Sequence, residues 1–244
     1  MVSARSLGVS DATSPPVATT PAAHHLGHRE RLRDRAKAGG LMALPDYELL
    51  ELYLFRTFAR GDVKPMAKAL LSRFGSFGAV IGATIEELKT VPGVGETAAI
   101  DIKLLHEATM RAGRDKIAKR PVISSWSALL GYVRVALANE PREQFRVLFL
   151  DKKNQLIADE IMNHGTVDHA PVYPREVMRR ALELSSSNII LLHNHPSGDP
   201  TPSRPDIDMT KQIVEAGRAL KINVHDHLVV GREGVASFKA LGLI

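Results

Sequence analysis

Residues 188–206 read Asn-Ile-Ile-Leu-Leu-His-Asn-His-Pro-Ser-Gly-Asp-Pro-Thr-Pro-Ser-Arg-Pro-Asp. The run from Asn188 to Leu192 is short and apolar, the pattern of a buried strand. His193 and His195 follow at its carboxyl end, where open α/β sheets place their chemistry. Two residues apart on extended backbone, they project to the same side. Pro196, Gly198, Pro200 and Pro202 then make a stiff, sharply turned loop. After Pro205, the apolar residues Ile207, Met209, Ile213, Val214, Ala216 and Leu220 fall at helical spacing, so Asp206 lies at a helix start. A strand, a rigid loop and an amphipathic helix in direct succession predict a sheet layered against helices.

Two imidazoles and a carboxylate suit Zn²⁺, and three protein ligands leave a fourth position for water. That open position separates a catalytic zinc from a structural one. Each part also has an ordinary reading. Ser203-x-x-Asp206 has the form of a helix cap, and His-x-His alone is common in solvated loops. The gathering of His193, His195, Ser203 and Asp206 within fourteen residues favours the metal site.

The rest of this half reads as a helix over 125–138, a strand over 145–151, a turn over 152–155 and a strand over 156–163. A helix over 174–184, the strand over 188–192, the histidine loop, a helix over 206–220, a strand over 222–230 and a short final turn complete it. Strands interleaved with helices of this length predict an α/β or α+β sandwich. Trp126 reads as a core anchor. His225 and His227 flank Asp226 on one strand and are expected to share a face. Asp226 and His227 read as groups that support the metal ligands from behind. His164 and His169 are expected to line the cleft.

Residues 28–118 have a helical pattern. Apolar faces run through 46–57 and 62–74, and Thr84-Ile85-Glu86-Glu87 has the form of a capping box. Thr90-Val91-Pro92-Gly93-Val94-Gly95 precedes an amphipathic helix to about residue 112 and resembles a helix-hairpin-helix turn, whose N–H groups can hold a phosphate. Phe74-Gly75-Ser76-Phe77-Gly78 looks like a degenerate partner. Residues 114–121 read as a linker.

Residues 1–27 are rich in Ser, Ala, Thr and Pro without periodic apolar positions, so a disordered tail is expected. His24, His25 and His28 are read with that solvated segment. Of the net charge of +5, the excess lies in 28–120, with 17 basic against 12 acidic residues, while 121–244 is balanced at 14 of each. That asymmetry makes 28–120 a candidate DNA-binding unit, although Glu96 stands where a basic residue would help grip phosphate. The chain has no cysteine, which excludes disulfides and thiol catalysis and fits a reducing cytoplasm. No apolar run approaches a membrane span, and neither a P-loop nor a Gly-x-Ser-x-Gly elbow occurs.

His193-x-His195, seven residues, Ser203, two residues and Asp206 resemble the JAMM motif of the JAB/MPN metalloproteases. His193-Asn194-His195-Pro196-Ser197-Gly198-Asp199-Pro200, Asp226-His227-Leu228 and Phe145-Arg146-Val147-Leu148-Phe149-Leu150-Asp151 resemble the bacterial RadC (UPF0758) branch. The resemblance implies an α+β chain: a helix-hairpin-helix-like domain at 28–118, then an MPN (cytidine-deaminase-like) sandwich at 119–244. It implies Zn²⁺ on His193, His195 and Asp206, and a protein or peptide substrate cut at an amide or isopeptide bond. Glu143, just before the first core strand, would take the water proton; Glu160 and Glu176 are the rival carboxylates. Ser203 would donate to the oxyanion. The alternative is a DNA-binding accessory protein of repair or recombination whose metal site is idle.

Overall fold

The computed structural model describes residues 27–118, 122, 126–164 and 172–244. Most of the expected tail, the end of the linker, His169 and the His164 side chain lie outside the described residues. A helical unit comes first, with α1 (His28–Gly39), α2 (Asp46–Leu54), α3 (Lys64–Phe74), α4 (Phe77–Gly82), α5 (Ile85–Lys89) and α6 (Glu96–Ala118). Leu32, Leu50, Leu54, Leu70, Val80, Leu88 and Ile102 fill its core. Local signals stop and start these helices. Gly75, at φ 88°, ends α3, and the Ser76 side chain caps α4. Thr84 and Glu87 form the reciprocal capping box of α5. The turn between α5 and α6 is closed by a Val94 N–H to Val91 carbonyl bond and passes through Gly93 at φ 86°.

Two expectations for this unit are corrected. His28 is no tail residue: it opens α1, and its Nε2 lies 2.6 Å from Glu51, whose side chain is wholly buried. Residues 114–118 are not a loose linker but the last turns of α6, because Ile117 is fully buried in the core of the second unit. The basic residues around it lie on the outside of that helix.

The second unit is a five-stranded sheet with helices on both faces. After α7 (Trp126–Leu137) come β1 (Gln144–Leu150), β2 (Leu156–His164), α8 (Pro174–Glu183), β3 (Asn188–Asn194), α9 (Arg204–Leu220), β4 (Asn223–Gly231) and β5 (Gly234–Ser237). The order across the sheet is β2-β1-β3-β4-β5, with only β3 and β4 parallel. The right-hand edge corrects the expected final turn: β5 pairs back on β4 from Gly231↔Gly234 to Leu228↔Ser237. Four residues are too few to show a period-two pattern in sequence.

Alternation along the strands sorts the side chains into two cores. Leu148, Leu150, Ile190, Leu192, Leu228 and Val230 face α7, and half-buried Trp126 packs there as the expected anchor. Phe145, Val147, Phe149, Ile189 and Leu191 face α8 and α9. His193 continues that second row, which brings it beneath the start of α9. One alternation fails: the β3–β4 register passes from Ile189↔Val224 to Ile190↔Asp226, so His225 sits in a bulge. His225 therefore does not share a face with His227. It bonds to Asn154 and Asn223 instead, with its Nε2 2.6 Å from Asn154 Oδ1.

Candidate metal centre

The loop after β3 is stitched to the end of β4. The His195 N–H donates to the Val230 carbonyl at 2.9 Å, and the Glu233 N–H donates to the Gly198 carbonyl at 3.1 Å. A Cβ on Gly231 would lie 2.0 Å from the Gly198 oxygen, so only glycine admits the loop at this point. Gly198 itself turns at φ 104°. At the far end of the loop, Ser203 and Asp206 make the capping box of α9. Ser203 Oγ accepts from the Asp206 N–H at 3.3 Å, and Asp206 Oδ2 accepts from the Ser203 N–H at 2.7 Å and from its hydroxyl at 2.6 Å. The two sequence readings of this segment coexist: the cap aims the Asp206 carboxylate back at the histidines.

His193 Nε2 and His195 Nε2 lie 3.0 Å apart. Asp206 Oδ1 is 3.4 Å from the first and Oδ2 3.4 Å from the second. Atoms bound to one Zn²⁺ at about 2.0–2.1 Å in tetrahedral array are separated by roughly 3.3 Å. The spacing of the donor set is close to what one ion needs, with each Asp206 oxygen facing one of the two histidines and one ligand atom from each residue lying within 4.8 Å of the others. Exposure fits as well: the His193 side chain is 2% exposed, whereas His195 and Asp206 keep 18% and 13%. The cluster is closed on the sheet side and open at the surface, as a centre that must admit water requires. Among the described residues it is the one group of three or more His, Asp or Glu close enough to hold a metal.

The electrostatics follow from this crowding. Burial pushes the Asp206 carboxyl up, but hydrogen bonding to His193 and His195 outweighs it and holds the group far below the usual carboxylate range. The same bond to Asp206 raises His195, against burial. His195 Nδ1 lies 2.8 Å from the Asp199 carbonyl, which can only accept, so Nδ1 carries the hydrogen and a neutral His195 turns a bare Nε2 to the centre.

Glu143 precedes β1, half-buried. Its charge acts on His195. Among the described residues its carboxylate makes no hydrogen bond or ion pair. The rivals are committed elsewhere. Glu160 receives two bonds from Arg180, at 2.6 and 2.7 Å, and Glu176 pairs with Arg179 at 3.0 Å.

Two residues escaped the sequence reading. Asn194, between the ligands, is 1% exposed and binds the segment that carries Glu143: its Oδ1 accepts the Gln144 N–H, and its Nδ2 donates to the carbonyls of Glu140 and Arg142. Thr210, one turn into α9 from Asp206, is wholly buried against His227. Neither contact leaves a signal in sequence, since each depends on segments the fold brings together. Asp226, by contrast, is a staple: its Oδ1 accepts the N–H groups of His227 and Lys239, and its Oδ2 accepts the Ser237 hydroxyl.

The family model of the RadC-like JAB domain matches residues 123–243. The matched span contains the whole sheet, His193, His195 and Asp206.

Proposed function

Because residues 123–243 belong to the RadC-like JAB domain family, we propose that this chain is a zinc-dependent metallohydrolase, of metallopeptidase or isopeptidase type, that directs water at an amide bond. The observation that carries this reading is the convergence of His193, His195 and Asp206 on one point with a single open side. These three side chains would hold Zn²⁺. Bound there, the ion supplies a Lewis acid that acidifies water and polarises a carbonyl oxygen. The remaining chemistry falls to the protein. Glu143 accepts the water proton and returns it to the leaving amine, a role that suits a carboxylate without a hydrogen-bond or ion-pair partner among the described residues. Asn194 positions Glu143 by holding the backbone on both sides of it. Ser203, whose hydroxyl donates to Asp206 in the resting state, turns to donate to the developing oxyanion. In this reading the sheet unit is an MPN-type sandwich, and α5, the 90–95 turn and α6 form a helix-hairpin-helix-like element. Among the described residues no helix is long and apolar enough to cross a membrane, in keeping with the proposed cytoplasmic setting.

The test is cleavage of a proteome-derived peptide library by the zinc-reconstituted full-length protein. Wild type should cut a subset of peptides, and Glu143→Gln should keep zinc but lose roughly 10²–10⁴ in rate, the range typical of a general base. Equal cleavage by both would remove Glu143 from the mechanism. No cleavage by a fully zinc-loaded wild type would favour the second reading, a DNA-binding accessory protein with an idle centre. That reading is supported by the basic excess in 28–120. It is weakened at the 90–95 turn, where Lys89 is already paired with Glu96 at 2.5 Å.

A further inference from the structure

We propose that Thr210 and His227 are positioning residues that fix the tautomer of His193 and thereby turn its bare Nε2 toward the metal. This rests on the metal-centre reading above.

Thr210 Oγ1 lies 2.6 Å from the Asp206 carbonyl and 2.7 Å from His227 Nδ1. A carbonyl oxygen only accepts, and two oxygens this close need a proton between them. The single hydroxyl proton of Thr210 therefore points at Asp206, the ordinary back-bond of a helical threonine. The hydroxyl oxygen is left to accept, so His227 Nδ1 carries a hydrogen. His227 is fully buried between the rings of Phe145 and Phe238, at 5.7 and 4.5 Å between centroids, and its two ring nitrogens face Thr210 and His193; as the Nδ1–H tautomer it turns its one ring hydrogen to Thr210. Its Nε2 is then bare. That nitrogen stands 2.8 Å from His193 Nδ1, and the proton between them must belong to His193. His193 is thus protonated at Nδ1 and bare at Nε2, the atom that faces His195 and Asp206.

The chain of bonds begins at the backbone of one ligand, Asp206, and ends on the ring of another, His193. Its directions start from the one atom that cannot donate and pass on through a His227 ring that carries a single hydrogen. His195 reaches the same form independently through Asp199. Two bare imidazole nitrogens 3.0 Å apart repel each other unless a cation lies between them. The buried relay therefore builds a demand for a cation into the fold. A merely structural Thr210 would only fill space, and valine would fill it equally well.

The experiment uses the full-length protein and two readouts. In zinc-loaded wild type, long-range ¹H–¹⁵N correlation NMR should find His227 and His193 each protonated at Nδ1. In chelator competition, Thr210→Val, which keeps the shape, should weaken zinc binding about 10–100-fold, as loss of an outer partner of a metal ligand does. Thr210→Ser, which keeps the hydroxyl, should restore wild-type affinity. His227 protonated at Nε2 in wild type, or equal zinc affinity in Thr210→Val and Thr210→Ser, overturns the proposal. His195→Ala in the same titration separates the two levels of failure. If it abolishes tight binding while the Thr210 variants match, only the relay is wrong. If it binds zinc like wild type, the metal centre is wrong and the relay falls with it.

Discussion

Asn194 Oδ1 accepts the backbone N–H of Gln144 at 2.8 Å, and so fastens the middle residue of the His-x-His run to the strand end beside Glu143. Both hydrogens of its amide nitrogen are engaged as well, because Nδ2 donates to the Glu140 and Arg142 carbonyls at 3.2 and 3.1 Å. The segment that carries His193 and His195 and the segment that carries Glu143 are thereby bonded to each other. Asn194→Ala would leave the Gln144 N–H buried without its partner and should cost about 1–3 kcal/mol. Zinc stoichiometry should hold while turnover falls. Urea midpoints and metal content on the same samples check this, and wild-type stability would contradict it.

Ser203→Ala removes the cap of α9 and the hydroxyl that orients Asp206. Stability should drop by about 1 kcal/mol, the usual cost of losing a serine cap. Zinc should remain, and hydrolysis should fall roughly 10²–10³-fold, as for one oxyanion donor. Kinetics with metal analysis on each preparation decide it. A fall in rate matched by an equal fall in zinc content would assign Ser203 to ligand orientation alone.

Glu48 in the helical unit gives a pH signature. Burial pushes its carboxyl up, but hydrogen bonds from Arg35 and Tyr47 win and hold it below the ordinary 4.5. A depressed folded-state value means stabilisation present above pH 4.5 and lost as pH falls through the lower folded value. The stability gap between wild type and Glu48→Gln should be widest near neutrality and close below that point. Denaturant midpoints across pH measure it, and a constant gap would refute the assignment.

If the helical unit engages DNA, binding should be weak, indifferent to sequence and steeply salt-dependent, because phosphate contacts dominate. Charge reversal of exposed Arg60 and Arg73 should weaken binding by the full-length protein, and reversal of exposed Arg175 on the sheet unit should not. Anisotropy titrations at several salt concentrations distinguish these. Equal effects of all three would leave only a nonspecific charge effect.

The strand, loop and helix around the centre were legible because each follows a local rule: an apolar run, proline punctuation and a 3.6-residue period. The double nature of Asp206, cap partner and metal-ligand candidate, was legible only as two competing readings, since both need the same residue at the same place. Other features had no local signal. β5 is four residues long, and its pairing depends on the turn at Gly231–Gly234. Ile117 sits among basic residues that suggest a linker, and only the tertiary core shows why the helix continues. The bulge at His225 breaks an alternation that sequence can only assume. Thr210 and His227 meet across 17 residues of chain through a helix-to-strand contact.

The central claim is that His193, His195 and Asp206 form a zinc centre. Elemental analysis of the full-length protein, reconstituted with zinc and dialysed, tests it most directly. About one zinc per chain should remain in wild type, and close to none in His195→Ala, because two remaining ligands hold the ion too weakly. Sub-stoichiometric zinc in wild type, unchanged in His195→Ala, would contradict it.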